Sequence, residues 1–81
     1  MEYSVGQIVK AKAGRDKDGF FVITALDGAF AFIVNGKSRK VEKPKKKKLI
    51  HLAPTKTVVQ SVTTNREVKR VLTEFLNGND N

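Results

Sequence analysis

From Gln7 to Ala13 the chain alternates weakly, with Val9, Ala11 and Ala13 on one side and Lys10 and Lys12 on the other. That is the pattern of a strand with one face in a core. Gly14 to Gly19 follows as a polar loop bounded by glycines. Phe20 to Leu26 is rich in β-branched and aromatic residues and reads as a strand covered on both faces. Asp27-Gly28 supplies the left-handed residues of a tight hairpin turn, Ala29 to Val34 is the partner strand, and Asn35-Gly36 is a second hairpin signal. Ser38 to Glu42 is expected as a short, polar fourth strand, with Pro44 and the lysines after it interrupting pairing. Leu49 to Ala53 is expected as a short fifth strand, ended by Pro54.

Residues 55–63 are open to two readings, a linker or an extended segment packed on the sheet. Then the period changes. Val68, Val71, Leu72, Phe75 and Leu76 recur at helical spacing, Thr64 and Glu67 match a capping box, and Gly78 is placed to end the helix. A helix is expected at about residues 65–77, its stripe packed on the sheet. The alternative is a stripe displayed to another chain. Five short strands within about fifty residues predict a small, strongly bent antiparallel sheet or barrel.

The chain has 81 residues and no Cys. A domain of this size buries only about 60% of its unfolded surface, so it cannot enclose a deep substrate cavity and keep a core. Without Cys it has neither a disulfide nor a Cys-based metal site. Met1-Glu2-Tyr3-Ser4 lacks the basic start and apolar stretch of a signal peptide, and the longest apolar run, Ala29 to Val34, is far short of a membrane span. The expectation is a cytoplasmic protein.

The net charge is +8, and its distribution says more than its size. Residues 37–48 hold Lys37, Arg39, Lys40, Lys43, Lys45, Lys46, Lys47 and Lys48 against Glu42 alone. Such a block attracts a polyanion, most simply a phosphate backbone; the plainer reading is a solvated run that keeps a small domain in solution. Lysines act mainly as point charges on phosphate, with little base information. Arg15 offers a planar fork to phosphate or a base edge, or pairs within its loop with Asp16 or Asp18. Gly14 and Gly19 serve the backbone first. The strand phenylalanines are expected in the core, although one of the neighbours Phe20 and Phe21 must point away from the other. Gly36-Lys37-Ser38 ends like a P-loop, but Ala31 stands where its first glycine is required. The single histidine, His51, has no partner ligands in the sequence, and the scattered acids form no acid–base pair with a nucleophile. No enzymatic activity, cofactor or metal is expected.

The run from Gly6 to Ile23, with its Gly14-Arg15-Asp16-Lys17-Asp18-Gly19 loop, resembles the KOW motif, in which a strand, a glycine-and-basic loop and a second strand begin an SH3-like barrel. Leu49 to Thr55 resembles the closing strand of KOW-containing large-subunit ribosomal proteins of archaea and eukaryotes. Val41 to Lys48 resembles the basic stretch of their short bacterial relatives, described as KOW-domain RNA-binding proteins. The resemblance covers about residues 5–55. It implies an RNA-binding, ribosome-associated protein with an SH3-like barrel, which takes residues 1–54; the segment 55–63 and the C-terminal helix, within 64–78, are read from the residues alone, and nothing of the resemblance carries over to the helix. The family's loop glycine falls on Gly14 and its basic residues on Arg15 and Lys17. Asp18 departs from the pattern by separating Lys17 from Gly19, and it leaves the loop without net charge.

The expected RNA contacts are Lys12, Arg15, Lys17, Lys37, Arg39, Lys40, Lys43, Lys45, Lys46, Lys47 and Lys48. RNA rather than DNA follows from the resemblance alone. The alternative function is a protein–protein adaptor using the barrel surface or the helix. An anionic-membrane binder ranks last, because no apolar anchor adjoins the lysines. A monomer is expected.

Overall fold

The structure, a computed structural model, describes residues 3–60 and 62–78; Met1, Glu2 and Ser61 of the expected segments lie outside the described residues. Its strands are β1 (Gln7–Ala11), β2 (Phe20–Asp27), β3 (Phe30–Val34), β4 (Lys45–Lys48) and β5 (Leu52–Val58), and its helix is α1 (Asn65–Gly78). A 3₁₀ turn at Leu49–His51 joins β4 to β5. The strands form one antiparallel sheet in the order β4-β3-β2-β1-β5. Inward residues of β1, β2, β3 and β5 meet in one cluster, Val9, Ala11, Phe21, Ile23, Ala31, Ile33 and Leu52, so the sheet curls around them in a small barrel-like fold. Tyr3 closes one end. Its hydroxyl donates to the Leu52 carbonyl at 3.0 Å, and burial pushes its pKa up.

A second cluster lies outside the sheet, where Ile8, Val22 and Val34 are covered by Val68 and Leu72 of α1. β1 therefore buries both faces rather than the one its alternation predicts, and it stops two residues short of Ala13. The capping box forms: Thr64 Oγ1 accepts from the Glu67 N–H at 3.1 Å, and Glu67 Oε1 accepts from the N–H groups of Thr63 and Thr64 at 2.9 and 3.3 Å. Those N–H donors hold the Glu67 pKa below the usual carboxylate range. Phe75 stacks obliquely on Phe20 with ring centroids 5.3 Å apart, whereas Leu76 stays exposed. The helix runs through Gly78, which ends the described residues there.

The helix start is bolted to the loop after β3. Asn65 Oδ1 accepts from the Val41 N–H at 2.8 Å, and Asn65 Nδ2 donates to Glu42 Oε1 at 2.9 Å, which lowers the Glu42 pKa. The close approach needs Gly36, whose φ is +80° and where a Cβ would stand 2.6 Å from the Asn65 carbonyl oxygen.

Three further element boundaries differ from the sequence reading. The first hairpin turns on Gly28-Ala29, because Asp27 already pairs with Phe30 and Gly28 alone takes a positive φ. The fourth strand is not Ser38 to Glu42. Asn35 Oδ1 accepts from the N–H groups of Lys37 and Arg39, both at 2.9 Å, and the Arg39 carbonyl accepts from Asn35 and Gly36, so the turn closes on itself. Pairing resumes at Lys45, directly after Pro44, and β3 templates the lysines as an edge strand. β5 begins at Leu52, three residues later than expected, and passes through Pro54 to Val58. A proline is tolerated because β5 is the other edge. A register shift between Gln7 and Val9 absorbs the irregularity, stitched by Gln7 Nε2 donating to the Thr55 carbonyl and the Thr55 hydroxyl donating to the Ile8 carbonyl.

Candidate nucleic-acid interface

The loop between β1 and β2 is a turn of two glycines and two acids, each with a steric or electrostatic task. Gly14 has φ +80°, and a Cβ there would stand 3.1 Å from Lys47 Nζ. Gly19 has an ordinary φ but little room, since a Cβ would lie 3.0 Å from the Phe21 ring. The left-handed residue beside it is Asp18, at φ 73°, a conformation Asp tolerates better than most side chains. Asp18 also lies 3.9 Å from Lys10 across an exposed gap.

Asp16 joins this loop to the lysine-rich segment. Its carboxylate accepts from Arg39 Nη2 at 3.0 Å and Nε at 3.3 Å, and its Oδ2 lies 4.0 Å from Lys47 Nζ. Lys47 occupies the inward position of β4 opposite Ala31, whose small side chain leaves room for the lysine stem. Its side chain is 9% exposed, and its ammonium donates to the Ala13 carbonyl at 2.9 Å. Lys47 is thus turned away from solvent, and Arg39 is held by Asp16. Neither is a free anion ligand.

The other expected contacts keep their charges in solvent: Lys12, Arg15, Lys17, Lys37, Lys40, Lys43, Lys45, Lys46 and Lys48 are all exposed. Arg15 makes no ion pair with either neighbouring aspartate, since Asp16 turns to Arg39 and Lys47 and Asp18 to Lys10. Ser38, Arg39, Lys40, Lys43, Pro44 and Lys45 line a shallow cleft of about 420 Å³ whose charged lining is wholly cationic. Through Asp16 and Arg39 the Arg15–Lys17 loop is anchored beside it. Lys37 belongs elsewhere, to a hollow with Phe20, Lys69 and Leu72 under the helix. His51 lies in the 3₁₀ turn rather than a strand. Among the described residues no group of three His, Cys, Asp or Glu side chains is placed to hold a metal ion, and no helix is long and apolar enough to cross a membrane.

Sequence reasoning missed two arrangements. One is the double use of Asp16. The other is the pair Phe30 and Phe32, which join neither apolar cluster and stay partly exposed, with Lys46 Nζ 4.6 Å and 5.9 Å from their ring centroids. Phe20 and Phe21 are both packed, one against Phe75 and one in the barrel. The signal for Phe30 and Phe32 was present: Ala31 and Ile33 fill the inward positions of β3, which sends the alternate aromatics outward.

These features define a small barrel-like antiparallel β-fold with a docked C-terminal helix and a cationic cleft. No protein-family model matches the chain, and no curated protein matches it.

Proposed function

We propose that this chain is a non-catalytic RNA-binding module of the cytoplasm, working on structured RNA such as that of the ribosome. The observation that carries the reading is the joining, through Asp16, of the loop that carries exposed Arg15 and Lys17 to the lysine-rich segment far from it in sequence, beside a cleft whose charged lining is cationic. Arg39 is already paired with Asp16, and the exposed Lys40, Lys43 and Lys45 of the lining are the charges that concentrate phosphate there. The KOW-like residues support RNA over DNA as the polyanion.

The test is binding to a structured RNA, a matched DNA duplex and heparin across a salt series, for the wild type and for Lys40→Ala/Lys43→Ala/Lys45→Ala. All three lysines are exposed and leave the Asp16 cluster intact. Each lost phosphate contact removes about 0.7 to 0.9 from the slope of log K against log salt, so the triple variant should lose about 2 to 3. An unchanged slope overturns the cleft. Equal affinities for all three polyanions, collapsing together near physiological salt, overturn the choice of RNA.

A further inference from the structure

The outer face of the sheet is covered unevenly. α1 lies over Ile8, Val22 and Val34 and, among the described residues, leaves the neighbouring stretch of β3 and β4 without an apolar roof. There the cross-strand partners are Phe30 with Lys48 and Phe32 with Lys46. Partners directly opposite in an antiparallel pair project to the same side, so two phenyl rings and two ammonium groups share this face. Asp27, opposite Phe30 on β2, is the acid at the hairpin end. What lies over the rings is Lys46, whose ammonium sits 4.6 Å from the Phe30 centroid.

A solvent-facing cation over an aromatic ring is held weakly and is readily exchanged. A nucleobase is a better occupant of that ring face, and it brings a phosphate for the displaced ammonium. The two rings are two residues apart on one strand, a repeat of about 7 Å. That spacing suits bases splayed along an extended strand rather than stacked at the duplex rise of about 3.4 Å. We propose that Phe30 and Phe32, flanked by Lys46 and Lys48, form a platform on which two consecutive unpaired bases of a single-stranded RNA segment stack. The inference rests on the RNA-binding reading above and adds to it: the cleft takes backbone phosphate, and the platform takes bases that a duplex does not present.

The experiment compares a ten-nucleotide single-stranded RNA, an abasic strand of the same length and a blunt RNA duplex. The proteins are the wild type and Phe30→Leu/Phe32→Leu, which keeps both positions apolar, with thermal melts confirming that the variant folds. The variant should bind the single strand about tenfold more weakly per ring removed. It should keep its salt slope, bind the duplex as the wild type does, and treat the single strand like the abasic one. In the wild type, the ring-proton resonances of Phe30 and Phe32 should move upfield as the single strand is added. That second readout stands even where the variant melts. Unmoved ring resonances, or equal losses on single strand and duplex, overturn the platform while leaving the cationic cleft in place. A wild type that binds none of the three RNAs overturns the proposed function and the platform with it.

Discussion

Replacing Asp16 with Ala removes the counter-charge shared by Arg39 and Lys47. At an effective dielectric of about 20, unit charges 4.0 Å apart attract by about 4 kcal/mol before desolvation is subtracted. The Arg39 side chain is 25% exposed and swings to water at little cost, so most of the loss falls on Lys47, whose side chain is 9% exposed and whose ammonium keeps only the Ala13 carbonyl. Breaking a buried pair by removing one partner costs about 3–5 kcal/mol; allowing for Arg39, about 3 kcal/mol is expected. For a domain of this size that is a fall in Tm of roughly 12–24 °C. Lys47→Met removes the buried charge itself and should cost about 1 kcal/mol or less. Chemical denaturation of both single variants and the double gives the coupling, expected to exceed about 1 kcal/mol and to change little with salt, because the pair is shielded from solvent. If Asp16→Ala costs under about 1 kcal/mol, or the two costs add without coupling, the buried ammonium does not depend on Asp16 and the reasoning fails.

Gly36→Ala should destabilise by about 2 kcal/mol or more, since its positive φ and its contact with the Asn65 carbonyl both resist a Cβ; hydrogen exchange should show the loss concentrated in α1. Leu72→Ala should cost about 2–5 kcal/mol in urea melts, as its side chain is buried over the sheet. The N–H donors that lower the Glu67 pKa, and the Asn65 amide that lowers that of Glu42, give stability that is complete above the unfolded value of about 4.3 and lost as pH falls through the folded value. Glu67→Gln should therefore be less stable than the wild type at pH 7 and converge with it at pH 3, as read from urea midpoints; a gap that persists in acid would contradict the capping assignment.

The helix was legible because its signals are local: Thr64 and Glu67 mark the start, and five apolar residues at helical spacing mark the buried face. The β2–β3 hairpin was legible to within one residue, since a two-residue turn accepts Gly28 in either of its central places. β4 was hidden because lysine has low strand propensity, and the pairing comes from the waiting backbone of β3 rather than from the side chains. Nothing local distinguishes Lys47 from Lys45, Lys46 and Lys48. Its register opposite Ala31 turns it inward, and the contacts to Ala13 and Asp16 hold it there, whereas Lys45, in the same register opposite Ile33, stays exposed at the start of the strand. The basic face was legible as charge but not as geometry, because Asp16 reads as a residue that weakens the loop's charge and acts as the one that places it.

β4 also leaves its outer backbone edge without a strand partner among the described residues. Two chains meeting edge to edge there would bring the exposed ammonium groups of Lys45, Lys46 and Lys48 on each into rows about 4.8 Å apart, with no carboxylate in either strand. That repulsion makes the lysine run a guard against strand addition and fibre growth. The guard is electrostatic, so a polyanion that neutralises the lysines while leaving the backbone edge bare removes it, and substoichiometric heparin should then promote self-association that excess heparin reverses.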